Sequence, residues 1–261
     1  MSERSSRSGL PPDASSVPAS DDESGAPRAE SDAALGRRAQ ILATEHWGLL
    51  AARSTAQSEV LTRITIFLAL VSAGLVTIGL LGQASRFGGW FGGASLGILG
   101  FLSVIGFMTQ VRVMNVSEED MMYVVAMNRI RTAYVDLDPQ VADVFLASFY
   151  DDMAGMKRTY SFLRPRGASV LLGSSALLLI VVNACVVGLL VGSATIAAGG
   201  GFDWAMRLAV TAGVLFSAGF VVFGGFGYRW AWAHYVPRRP TPPAAGEARP
   251  PKTESASGAR D

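Results

Sequence analysis

The chain has 261 residues, half of them apolar, with only 16% charged and a formal net charge of +1. An ordinary soluble domain carries about 25% charged residues, and a near-neutral chain lacks the electrostatic footprint that nucleic acid requires, so no nucleic-acid partner is expected. The single cysteine, Cys185, excludes an internal disulfide, and inside an apolar run it reads as a small packing residue. Arg outnumbers Lys twenty to two, the bias of a GC-rich bacterial coding sequence.

Residues 1–32 are rich in Ser, Pro, Asp and Glu and poor in large apolar side chains, the composition of a disordered tail. No basic segment followed by an apolar run opens the chain, so no signal peptide is expected. Residues 33–63 turn helical. Ala43, Trp47 and Leu50 share a face, and Glu59 and Arg63 stand at i,i+4 in the favourable order. With no Pro before Ile64, this segment is predicted to run into the first span, with a bend near Gly48. Glu45-His46-Trp47 reads either as a ligand site at the membrane face or as an interfacial helix anchored by Trp47. A metal site would need further converging ligands, and no second His lies nearby.

Residues 64–111 hold two uncharged apolar runs, Ile64 to Leu81 and Trp90 to Val111, joined by a short Gly-containing turn. Each approaches the roughly 20 residues that cross a hydrocarbon core, and neither has a polar stripe. They are predicted to form a transmembrane hairpin. Gly89, Gly93 and Gly97 make small-xxx-small steps, which let helices approach closely in lipid. Packing within one subunit and packing between subunits both fit. No Gly-Lys-Ser/Thr step follows, which argues against a phosphate-binding loop.

Residues 112–167 form a polar region, predicted to be a cytosolic helical lobe. Ser117 followed by Glu118, Glu119 and Asp120 reads as a helix start. Asp138-Pro139 reads as a second, with Val141, Val144, Phe145 and Phe149 as its apolar face. Tyr123, Met127, Ile130 and Tyr134 line one face of the first of these helices and suit a seam against the N-terminal helix. The carboxylates, with Asp136, Asp151 and Asp152, are the candidates for acid–base or divalent-cation chemistry. Caps account for several of them, and the lobe has no His, Cys or nucleophile motif, so no catalytic residue, metal or cofactor is expected.

Residues 168–228 form a second hairpin, with spans Val170 to Val191 and Leu208 to Gly227. Asn183 reads as the one amide side chain deep in a span. It serves either as interhelical glue or as a pore or substrate contact. Gly188 and Gly192 add a close-approach step. In residues 229–261, Arg229, Trp230 and Trp232, with Tyr228 just before, form an interfacial anchor that pairs with Trp47 and Arg63 at the other end. A second disordered tail is expected from Pro237. The fold class is therefore all-α, an integral membrane protein with four transmembrane helices in two hairpins plus a cytosolic lobe.

Basic residues set orientation. Arg53 and Arg63 precede the first span, seven basic residues lie between Arg112 and Arg166, and Arg229, Arg238 and Arg239 follow the fourth span. The two short turns hold only Arg86 and Arg207. Both termini and the central lobe are expected in the cytoplasm, at the bacterial inner membrane.

Glu45-His46-Trp47, Arg53-Ser54, Glu59 and Arg63 lead into the first span, and Met127-Asn128-Arg129-Ile130-Arg131-x-x-Tyr134 follows the second. Over residues 40–230 this pattern resembles a family of uncharacterised bacterial four-span integral membrane proteins. The resemblance implies a four-span bacterial fold and no particular activity. More loosely, a cytosolic helix, a two-span hairpin and a following helix are similar to SLATT-type membrane effectors, which implies pore formation. The second hairpin departs from that pattern. Small-residue faces without convergent catalytic groups point to a non-enzymatic scaffold or oligomerising assembly, with the lipid bilayer and a second copy of the chain as partners. The alternative is a pore or small-solute transporter, and an enzyme of envelope chemistry using the cytosolic acids is a third reading.

Overall fold

The computed structural model describes residues 31–163 and 174–243. The expected N-terminal tail up to residue 30, Arg164 and Arg166, the start of the third apolar run and the chain beyond 243 lie outside the described residues. Among those described, every regular element is helical: α1 (Asp32–Ser85), α2 (Phe91–Leu137), a 3-10 turn (Pro139–Asp143), α3 (Met153–Tyr160), α4 (Ser175–Ala197) and α5 (Phe202–His234). Helices α1, α2, α4 and α5 are each long and apolar enough to cross a membrane. In the packing, α2 lies against both α1 and α4, and α4 against α5.

Helix α1 runs unbroken for 54 residues, through the polar segment and the first apolar run. Gly48 does not end it, because one glycine costs only about 1 kcal/mol in a helix interior. It stops where Arg86 and Phe87 turn left-handed, with φ of 52° and 59°. The Phe87 amide caps the Gly82 carbonyl at 2.9 Å, and its ring covers Gly82. Gly89, at φ 61°, closes the turn into α2 in a conformation that glycine adopts freely.

Helix α2 corrects the predicted start at Ser117. It is continuous for 47 residues, and the Ser117 hydroxyl donates back to the Val113 carbonyl at 2.8 Å. Between 107 and 137 the chain holds neither Gly nor Pro to interrupt it. Asp120 finds its partner across the helix pair, on Arg53 of α1, and Glu119 finds Arg112 two turns back on α2 itself, so neither serves a helix N-terminus. Asp138-Pro139 does nucleate a turn, with the Asp138 carboxylate accepting from the Gln140 amide at 3.0 Å. The result is five residues of 3-10 helix rather than an α-helix, and Val144, expected on its apolar face, is exposed.

Two apolar clusters hold the fold. One joins Phe67, Leu102, Val113, Leu179 and Val186 among α1, α2 and α4. The other lies at the polar end, where Val124, Val125 and Met127 of α2 meet Met156 of α3, flanked by Leu49, Tyr228, Trp232 and Tyr235. Close backbone approach fixes α4 on α5: a Cβ on Gly188 would lie 3.0 Å from the Ala209 carbonyl oxygen, and one on Gly213 at the same distance from that of Ala184. The outer surface is apolar too. Phe101, Val104, Phe107, Val214, Val222 and Phe223 are all exposed, and the most apolar stretch of α5 has no buried residue. A soluble monomer does not carry an apolar surface of this extent.

Candidate functional site

Two polar centres stand out, one within the apolar layer and one in the lobe. In the apolar layer, Asn183 of α4 is 1% exposed and donates from Nδ2 to the Gly106 carbonyl of α2 at 3.1 Å. Gly106 is required there: a Cβ would overlap Asn183 Oδ1 and the Phe67 ring. Asn183 therefore ties α4 to α2. Its Oδ1 is buried with no partner.

Asn183 is not the only deep amide. Gln110, one helical turn beyond Gly106 on α2, is fully buried, and neither Nε2 nor Oε1 has a partner. Gln110 is inconspicuous in the sequence because it sits at the end of the second apolar run, two residues before Arg112. The signal was its place within Trp90 to Val111, where any amide side chain is costly to bury.

The small residues divide into two groups. Gly188 and Gly192 face Ala209 of α5, and Gly106 faces Asn183 and Phe67. Gly93 and Gly97 are exposed, and a Cβ on either would meet nothing within 4 Å. Gly89 serves the turn.

In the lobe, the carboxylates are occupied. Asp120 accepts from Arg53 Nε at 2.6 Å and Nη2 at 3.1 Å, from Gln57 at 2.8 Å and from the Tyr160 hydroxyl at 2.5 Å. Burial alone would raise its pKa, but the Arg53 guanidinium, the Tyr160 hydroxyl and Gln57 together hold it below the usual carboxylate range. Glu119 pairs with Arg112 at 3.0 Å, and Arg112 reaches Glu59 at 3.1 Å.

Asp151 is fully buried. It accepts from Arg129 Nε at 2.6 Å, the Tyr235 hydroxyl at 2.9 Å and the backbone amides of Arg238 and Arg239 at 2.9 and 2.8 Å. Against its burial, these donors hold it at about 2, while burial and the bond to Asp151 push Tyr235 up to about 12. Asp152 caps α3 through the Gly155 amide at 2.7 Å and accepts from the Thr241 amide and hydroxyl. The segment from Tyr235 to Thr241 is therefore strapped across the lobe, whereas a tail was expected from Pro237. Asn128, fully buried, completes the tie: it donates to the Tyr150 carbonyl at 2.8 Å and accepts from Arg131 and the Thr159 hydroxyl.

The expected interfacial anchors separate. Tyr228 and Trp232 pack into the lobe cluster, whereas Trp230 is exposed beside His234 and Arg229 is exposed. Arg63 pairs with Glu59 at 3.0 Å. Trp47 lies roughly 24 Å along α1 from Arg63 at 1.5 Å per residue. It stands beside Arg131 and Tyr134 of α2. A cleft of about 500 Å³ between α2 and α5 is lined by Met121, Met122, Val125 and Trp230, with Glu118 at one end. Among the described residues no three His, Cys, Asp or Glu side chains converge as a metal site.

No protein-family model, no curated protein and no solved structure matches this chain.

Proposed function

We propose that this chain is a four-span scaffold of the bacterial inner membrane that works by helix association, with a second copy of itself as partner. The carrying observation is that Gly93 and Gly97, with Gly92 and Gly100 beside them on α2, meet nothing within the chain, while Gly106, Gly188, Gly192 and Gly213 are each taken up by an internal helix contact. A one-turn pair of glycines left open on an apolar helix face suits close packing against another helix in lipid. The distribution of Arg and Lys supports an orientation with both termini and the lobe in the cytoplasm. A non-enzymatic role is supported by the lobe: Asp120, Asp151 and Asp152 are each saturated by donors from the protein itself.

The test is oligomeric mass in mild detergent, for the wild type and for the double variant Gly93→Leu with Gly97→Leu. Because both sites are open, the leucines fit within the subunit, and loss of a defined oligomer then reads an intersubunit contact. A monomer for both proteins refutes the proposal. A second reading, a solute or ion path, is favoured by the three amide atoms of Asn183 and Gln110 that lack partners in the apolar layer. Reconstituted vesicles whose flux is unchanged by Asn183→Leu remove it.

A further inference from the structure

Two short stretches of the sequence, Glu45-His46-Trp47 and Asn128 to Tyr134, are far apart in the chain and meet in the fold. Together with Phe145 they line a half-open cavity of about 210 Å³, whose walls are Ala43, His46 and Trp47 of α1 and Arg131 and Tyr134 of α2. Arg131 is the one cation of these walls. Its Nη1 donates to Asn128 Oδ1 at 2.7 Å, and among the described residues no carboxylate pairs with it. Arg129, two residues earlier, shows the contrast, being held by Asp151. Desolvating a guanidinium without a counter-charge is costly, and proteins tolerate it where an anion arrives from outside.

The neighbours of Arg131 fit that account. His46 carries a buried Nδ1 with no partner. Burial, and then the Arg131 charge, lower the His46 pKa, so its ring is neutral at pH 7. Arg53, the other nearby cation, is neutralised by its bidentate pair with Asp120. The cavity therefore carries an unbalanced positive charge between three aromatic side chains.

We propose that this cavity binds a small anion carrying a flat ring, an aryl phosphate or aryl carboxylate, with Arg131 taking the anionic head and Trp47, Tyr134 and Phe145 flanking the ring. A neutral imidazole at His46 supplies either a donor or an acceptor to the head. With the apolar runs in the bilayer, Trp47 stands roughly 24 Å from Arg63 along α1, and Arg131 roughly 28 Å from Arg112 along α2. Both distances carry the cavity beyond the lipid headgroups, so the ligand is a solute of the aqueous phase.

The full chain in neutral detergent is titrated with phenyl phosphate, benzoate, inorganic phosphate and phenol, read by calorimetry and by thermal shift. Phenyl phosphate or benzoate binds saturably with Kd near or below about 1 mM, about tenfold or more tighter than inorganic phosphate, and phenol does not bind. Arg131→Gln, which keeps a donor for Asn128, weakens binding by about tenfold or more and leaves the melting temperature of the free protein unchanged or higher, since an uncompensated charge has been removed. Trp47→Ala, at a side chain 70% exposed and so neutral to folding, weakens it by about fivefold or more. If Arg131→Gln does not fold, Trp47→Ala decides. The inference is overturned if neither aryl anion binds at up to about 10 mM, or if either variant binds as the wild type does. It is also overturned if binding vanishes in nanodiscs of anionic lipid, which would assign the cavity to headgroups.

Discussion

Asp151 is the residue on which the strap from Tyr235 to Thr241 depends. Asp151→Asn keeps the shape and removes the charge. The magnitude follows from the carboxylate's own equilibrium: it is held at about 2 in the folded lobe against an ordinary 3.8. That depression corresponds to about 2 kcal/mol of extra stabilisation of the charged form, at 1.36 kcal/mol per pKa unit. Asn presents an N–H₂ toward a set of donors, so the loss is not recovered by the amide. The readout is hydrogen exchange at the backbone amides of Arg238 and Arg239, which donate directly to the carboxylate. Loss of about 2 kcal/mol raises the open population and the exchange rate roughly thirtyfold. Exchange unchanged within about threefold would show that Asp151 does not hold the strap and would refute the argument.

The same group predicts acid sensitivity. Its folded pKa lies below the unfolded one, so its contribution is complete above 3.8, declines as pH falls and is gone below about 2, which strap exchange against pH reports. Gly106→Ala forces a Cβ into Asn183 Oδ1 and the Phe67 ring; overpacking of this kind costs about 1–3 kcal/mol, and the melting temperature in detergent falls. Asp120→Asn removes the acceptor shared by Arg53, Gln57 and Tyr160 and costs about 2 kcal/mol, measured the same way. Gln110→Leu deletes two buried polar atoms that have no partner, so the melting temperature holds or rises. A clear fall would show that the amide is satisfied by something the chain alone does not display, such as a bound water.

The helical class and the four apolar helices were legible because uninterrupted apolar length is a strong signal that needs no partner to interpret. Boundaries were not. Ser117 followed by acids has the composition of a helix start, but a cap forms only where the backbone is already broken, and nothing between 107 and 137 breaks it. Small-residue spacing is equally ambiguous. Gly93–Gly97 and Gly188–Gly192 read identically in sequence, and only the structure separates the open pair from the pair against Ala209. The cap at Asp152 was invisible beside Asp151, and the role of Asp151 was out of reach, because three of its four donors come from the far end of the chain, Arg129 being the exception. The cavity at Arg131 had both its motifs in view. What was missing was their meeting, which depends on the register of α1 against α2.

That register is fixed at three levels. Phe67 sits against Gly106 in the apolar layer, Glu59 meets Arg112 at its edge, and Arg53 meets Asp120 in the lobe. A slip of one turn between the helices would break all three, and ion pairs at the two outer levels cannot relax independently because each helix is continuous between them. Exposed pairs such as Glu59–Arg112 contribute little each, so their value here is in specifying alignment rather than in stability. The changes at residues 63–64 and 111–112 are therefore changes of environment along two rods and not boundaries between folding units. The lobe is assembled on the extensions of the apolar helices, with α3 and the strap added through Asn128 and Asp151. Gly106, which Asn183 contacts, and the lobe residues Asn128 and Arg131 therefore belong to one unbroken helix, α2.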